Sequence, residues 1–300
     1  MKASLIGITG TLALSLSFLT ACSGGGSSNA NDNVEAQNCE VSGSSYGIIG
    51  GNTLASNTPL SESTVMVIHL KGEDAAICTG TLIDDDKVLT AAHCTSRDSS
   101  EKTIIAFSNN VTCVSRAIKR TARPVIAQEI HPSYRYGWER PENATNDLAV
   151  LKFSGSVPAG YKVRPLPSAS YDATKATEIV MSGYGRTDED NGDSTGTLRF
   201  TTASPSRLKK SFYMKYVKQE FTVDKTIVVE QPYNGVCSGD SGGPLYAKDA
   251  NGLTLIGVTS MVADVNSERR ADMRVCHGIG LFVDVRAQLD WIEKSMRALN

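Results

Sequence analysis

The sequence predicts an all-β protein that closes on a single helix. From Ile48 onward, short apolar runs alternate with turn-rich stretches and no helical period lies between them, the texture of barrels built from many short strands. The closing stretch 286–299 differs: Leu289, Ile292, Met296 and Leu299 recur at three- and four-residue intervals, which predicts an amphipathic helix. A hydrophobic content of 40% over 300 residues permits a sizeable core and excludes a disordered chain.

The predicted strands are 64–70, 81–83, 87–91, 103–107, 125–130 and 148–153, then 179–182, 197–203, 215–221, 226–229, 244–246, 254–260 and 280–285. Ahead of them the composition is different. Met1-Lys2 carries a positive charge and 5–19 is an apolar run, too short for a comfortable membrane span but suited to a signal peptide. It ends in Leu19-Thr20-Ala21-Cys22. This is similar to a bacterial lipoprotein signal, in which residues 1–21 are removed and Cys22 takes the lipid; plain secretion with cleavage near Ala21 stays open. Either route places the mature protein outside the cytoplasm, anchored at the outer membrane or cell surface through Cys22, or secreted. Residues 22–47 are rich in Ser, Gly and Asn and read as a flexible tether or pro-segment. Of seven cysteines, six remain after Cys22, an even number compatible with three disulfides in an oxidising compartment.

Charge excludes one class of partner. With 30 basic against 32 acidic residues the formal net charge is −2, which gives no global pull toward nucleic acid. The histidines and carboxylates lack metal-ligand spacing, and no glycine-rich loop with a lysine is present, so neither metal nor cofactor is expected.

The chemistry gathers around Cys237-Ser238-Gly239-Asp240-Ser241-Gly242-Gly243-Pro244. A serine hydroxyl stays protonated at neutral pH and needs a base and an oxyanion site before it acts as a nucleophile. The glycines beside Ser241 permit unusual dihedrals and close approach, so the amides of Gly239 and Ser241 are candidate donors to one developing negative charge. Two further motifs supply partners: Thr90-Ala91-Ala92-His93-Cys94 and Asn146-Asp147-Leu148-Ala149-Val150.

Together these motifs resemble the trypsin/chymotrypsin-like serine endopeptidases, in the family's chain order of base His93, orienting acid Asp147 and nucleophile Ser241. Ile48-Ile49-Gly50-Gly51 resembles the family's mature N-terminus, and the likeness covers about residues 48–299. It implies two six-stranded antiparallel barrels, about 48–165 and 166–285, with the site between them and a helix at 286–299. Among four histidines, only His93 has the Ala-Ala-His-Cys setting. His69 lies in a strand-like run, His131 opens a turn where the family has a packing residue, and His277 follows a cysteine in a loop. The resemblance also implies the bridges Cys78–Cys94 and Cys237–Cys276. That leaves Cys39–Cys113, which rests on elimination and would tie the pro-segment to the catalytic domain.

By the same resemblance Asp240 pairs with the ammonium of a new N-terminus at Ile48, making the uncut chain a zymogen. Gly47 precedes Ile48, where trypsin-like activators require Lys or Arg, so the activating protease is unknown. Ser260, in Gly257-Val258-Thr259-Ser260, matches a serine that supports the aspartate and borders the substrate pocket. Gly235, six residues before Ser241, stands where Lys- and Arg-specific members carry an aspartate. Val236, Met261, Val262 and Gly280 complete the implied pocket. Val262 narrows its entrance in the elastase manner, and cleavage after small or medium apolar residues is the expectation. The partner is then a protein or peptide substrate. The rival reading is a non-catalytic surface protein that uses this fold to bind a partner; loss of a triad residue marks that class, and none is lost here.

Overall fold

A computed structural model of the protein describes residues 48–55, 57–111, 120–135 and 140–300. The signal segment 1–21, Cys22, the tether 22–47 and the Cys39–Cys113 pairing lie outside the described residues.

The chain order is β1 (Asn52–Thr53), β2 (Thr64–Lys71), β3 (Asp74–Asp84), β4 (Lys87–Thr90), β5 (Lys102–Ala106), β6 (Ala122–Ile130) and β7 (Ala149–Phe153). There follow β8 (Glu178–Gly183), β9 (Arg199–Ala203), β10 (Leu208–Lys209), β11 (Ser211–Met214), β12 (Gln219–Thr222), β13 (Thr226–Glu230), β14 (Pro244–Asp249), β15 (Gly252–Ala263) and β16 (Ile279–Asp284). The C-terminal α-helix, α1, is Leu289–Ala298, after a 3₁₀ turn at Arg286–Gln288. The periodic stretch 286–299 is therefore α-helical only from Leu289.

The first six-stranded unit closes in the order β2-β3-β4-β7-β6-β5. The second is not the closed six-stranded barrel expected. It is an eight-stranded sheet, β1-β9-β8-β14-β15-β16-β13-β10. The outer edges of β9 and β13 pair with the two-residue strands β1 and β10 instead of with each other. The sheet nonetheless curls: Ala203 on β9 and Ile227 and Val229 on β13 share one core with Ile179, Met181, Leu245 and Phe282. Ile48 is buried in that core, and β1 joins β9, so the segment just after Gly47 belongs to the second sheet although it precedes the first barrel in sequence.

The predicted strand 215–221 is replaced by the hairpin β11–β12, turning at 215–218. Lys218 adopts φ 55° there, a left-handed conformation that no Gly, Asn or Pro announced. β3 extends well before the predicted 81–83, because its first residues pair with β2 regardless of their mixed composition.

The two units share an apolar seam. Leu89, Leu148 and Val150 from the first pack with Tyr246, Leu255, Val258 and Val283 from the second, and Leu289, Ile292 and Leu299 cover them. Full burial of Ile292 stabilises by about 1.5–3 kcal/mol, which holds α1 against both units.

Candidate active site

His93, Asp147 and Ser241 all lie outside the strands, on the connections next to β4, β7 and β14. β4 runs into Ala91, and a 3₁₀ turn at Ala92–Cys94 carries His93 out of the first barrel. The Cys78–Cys94 disulfide pins that turn to β3. Asp147 caps a second 3₁₀ segment, Pro141–Asn146, immediately before β7. Gln288 donates to the Thr145 carbonyl and the Asn146 side chain, so the foot of α1 props the segment that presents Asp147.

Asp147, only 3% exposed, grips His93 at two points. One oxygen, Oδ1, accepts from the His93 backbone N–H at 3.0 Å and Oδ2 pairs with Nδ1 at 2.7 Å. Ser260 Oγ donates to the same Oδ2 at 2.7 Å. The reason Ser260 can do so lies in β15: its pairing with β16 shifts between Thr259 and Met261, a bulge that re-aims one side chain. The Ser260 hydroxyl, fully buried, thus turns to Asp147 and not into the implied pocket.

Ser241 sits on a loop stitched to both units. Its carbonyl accepts from Thr79 N at 2.8 Å, Gly242 N donates to the Thr259 carbonyl at 2.7 Å, and Gly243 N to the Asp240 carbonyl at 2.8 Å. Thr79 Oγ1 also donates to the Gly239 carbonyl at 3.0 Å. Thr79 follows Cys78, so one strand registers the serine loop against the turn bearing His93. Gly242 has φ 79°, and a side-chain carbon there would stand 2.0 Å from Thr90 Oγ1; only glycine permits this approach. Gly239, at φ 100°, packs against Gly185. Among the described residues neither the Gly239 nor the Ser241 amide has an acceptor, leaving two N–H groups of the serine loop available to an oxyanion.

Asp240 is fully buried. Its oxygens accept from Gly185 N at 2.7 Å and Cys237 N at 2.8 Å, and no side-chain cation among the described residues pairs with it. Burial pushes its carboxyl up to about 7, against the downward pull of the two backbone donors. Ile48, also fully buried, has φ 50°. Ile49 bridges to Gly235, whose N–H donates to the Ile49 carbonyl at 3.1 Å.

The second bridge, Cys237–Cys276, sits beside Val262 of the implied pocket. Val262 lies opposite Gly280 and packs with Ile49 and both cysteines, while Met261 packs toward Phe212 and Phe221 of the hairpin. The charged loop after Val262 is organised from within. Asp264 accepts from the N–H groups of Asn266, Ser267 and Arg274 and from the Ser267 hydroxyl. Despite burial, these donors hold its carboxyl below the ordinary range. Glu189 then accepts from Val275 N at 2.7 Å.

Of the other histidines, His69 pairs with Glu101 at 2.8 Å, His131 lies against the Trp291 ring at 4.9 Å, and His277 ends a 3₁₀ turn. Cys78, His93 and Cys94 approach within metal-binding distance, but both sulfurs are spent in the disulfide. Sequence reasoning missed Thr79 and Gln231. Gln231 is fully buried beside Gly235 and Gly280, and no motif marks either residue.

The family model described as Trypsin matches residues 48–292. Chymotrypsin-like elastase family member 3A of Homo sapiens is 30% identical over 274 residues, covering 79% of this chain and 92% of its own. Granzyme B(G,H) of Mus musculus is 28% identical, covering 84% of this chain and 92% of its own. Serine protease SP24D of Anopheles gambiae is 27% identical, covering 77% and 76%. A solved structure described as "Structure of GrC" superposes with a TM-score of 0.61 at 22% identity, covering 83% of this chain and all of the other, which shows the shared fold.

Proposed function

Because the chain belongs to the trypsin family of serine proteases, we propose that it is an endopeptidase with Ser241 as nucleophile, His93 as base and Asp147 as orienting acid. The observation that carries this reading is the double hold of Asp147 on His93, at 3.0 Å and 2.7 Å. With Nδ1 engaged by the carboxylate, Nε2 is the basic nitrogen. It takes the Ser241 proton as Oγ bonds to the scissile carbonyl carbon, then gives it to the leaving amine as the C–N bond breaks. Water hydrolyses the resulting ester in a second round in which His93 is again the base. Asp147 favours the imidazolium formed in each round. The Gly239 and Ser241 amides bind the oxyanion, each worth about 10²–10³ in kcat.

In this reading the uncut chain is a zymogen, and an unidentified protease cuts before Ile48. The new ammonium supplies the cation that Asp240 lacks among the described side chains. A buried carboxylate without a cation is costly, and one near neutrality is poised to ionise when the cation arrives. Substrates are peptides or proteins, cut after small or medium apolar residues: Gly235 brings no carboxylate for Lys or Arg, and Val236 and Val262 line the approach with apolar surface. The enzyme works outside the cytoplasm, held through Cys22 or released by cleavage near Ala21, and needs no cofactor.

The test is labelling with a serine-reactive phosphonate before and after removal of residues 1–47, with Ser241→Ala as control. Labelling of Ser241 that rises after removal is expected. No labelling in either form overturns the reading in favour of a binding protein, and labelling that survives Ser241→Ala points to another nucleophile.

A further inference from the structure

We infer that Gln231 forms the floor of the substrate pocket and limits the side chain cut after to about the size of valine, an inference that rests on the endopeptidase reading above. Gln231 follows β13 directly and is fully buried. A buried amide must find partners, and this one finds both on a single residue. Its Oε1 accepts from Val236 N at 2.9 Å and its Nε2 donates to the Val236 carbonyl at 3.1 Å. The side chain therefore clasps the loop that leads through Cys237 into the Ser241 run.

Its position decides the depth of the pocket. Gly235 and Gly280, read from sequence alone, leave the base and back wall empty. A carbon added at Gly235 would meet Gln231 Cδ at 2.2 Å, and one added at Gly280 would meet Oε1 at 2.6 Å. The space that two absent side chains vacate is occupied by a third residue. Around it, the same point at Gly280 lies 3.1 Å from Val236 Cγ2 and 2.9 Å from Phe282 Cε2. An entering side chain thus meets apolar walls and a neutral amide floor. The floor carries no charge for Lys or Arg, and an aromatic ring has no depth to enter.

The experiment compares kcat/KM of the processed enzyme on peptides that differ only before the cut, with Ala, Val, Leu, Phe or Arg there. Concentrations are normalised by phosphonate titration of Ser241. The wild type should favour Ala and Val. Gln231→Ala should raise the Phe-to-Ala ratio about tenfold or more, mainly through KM, because pocket volume worth one methylene already discriminates by about 10–200-fold. Gln231→Met keeps the volume without the hydrogen bonds and should keep the wild-type ratio even if it lowers stability, which separates floor from clasp. If Gln231→Ala does not fold, Gln231→Asn, shorter by one methylene, should shift preference from Val toward Leu. Wild-type cleavage after Phe or Arg as fast as after Ala overturns the inference. So does a ratio that neither shortened variant changes beyond twofold while the titration shows intact sites. Failure of Ser241 to titrate in the wild type overturns the endopeptidase reading itself.

Discussion

Replacing Asp147 by asparagine keeps the shape of the side chain and changes what it accepts. The carboxylate receives the His93 backbone N–H on Oδ1, and the Nδ1 partner and the Ser260 hydroxyl on Oδ2. An amide offers one oxygen for these two points. If its NH₂ faces the backbone N–H, two donors confront each other in a site where Asp147 is 3% exposed, at a cost of about 1–3 kcal/mol for an unsatisfied group. If its NH₂ faces Nδ1, the ring escapes the conflict by moving its proton to Nε2, and Ser260 can rotate to accept. The second arrangement is cheaper, and in it the nitrogen that should deprotonate Ser241 already holds a proton. Activity at neutral pH should therefore fall by about 10⁴-fold, the size of the wrong-tautomer effect in a Ser-His-Asp triad, or about 5.4 kcal/mol of barrier. The thermal midpoint should hardly move, since volume and most hydrogen bonds survive. Steady-state peptide hydrolysis at pH 7, normalised by protein concentration and paired with a melting curve, reads both. A loss below tenfold in a folded variant would refute the assigned tautomer and with it the role of Asp147.

Other expectations follow from the same geometry. Ser260→Ala removes one donor to a buried carboxylate and should slow kcat by about 10–100-fold, from a hydrogen bond worth about 1–3 kcal/mol; an unchanged kcat would remove Ser260 from the site. Gly242→Ala forces a side chain at φ 79° to within 2.0 Å of Thr90 Oγ1 and should lower stability by at least about 3 kcal/mol, read by denaturant unfolding. In the uncut chain, the folded Asp240 carboxyl lies near 7 against an ordinary 3.8. The folded state then binds the extra proton, so this contribution is favourable at low pH and is lost as pH rises from about 4 to about 7. The gap of about 3 pH units is worth on the order of 4 kcal/mol at 1.36 kcal/mol each. Melting of uncut Ser241→Ala at successive pH values, with and without Asp240→Asn, measures it; equal slopes in the two proteins would contradict the burial cause.

What the sequence made legible was local. His93, Asp147 and Ser241 stand in runs whose neighbours restrict them: a cysteine that anchors the turn after β4, an apolar strand after Asp147, glycines around Ser241. Strand positions were legible where apolar runs were unbroken, as in β2 and β7. Thr79 was not legible, because its role is to hold Gly239, 160 residues away, and nothing in a Thr between Cys and Gly signals that contact. Gln231 was hidden for the same reason: a glutamine after a strand reads as surface, and only the fold shows that it is buried. The β11–β12 hairpin was missed because Lys218 takes a left-handed turn that lysine rarely adopts. The openness of the second sheet depends on which edges β1 and β10 cover, a tertiary choice that periodicity does not encode.

The most direct measurement is a quenched-flow burst with an activated ester on the processed enzyme at pH 7, with the acylated residue mapped by mass spectrometry. One acyl group per enzyme on Ser241, lost in His93→Ala, is the predicted result. An acyl group on another residue, or a burst of equal rate in His93→Ala, would contradict the account.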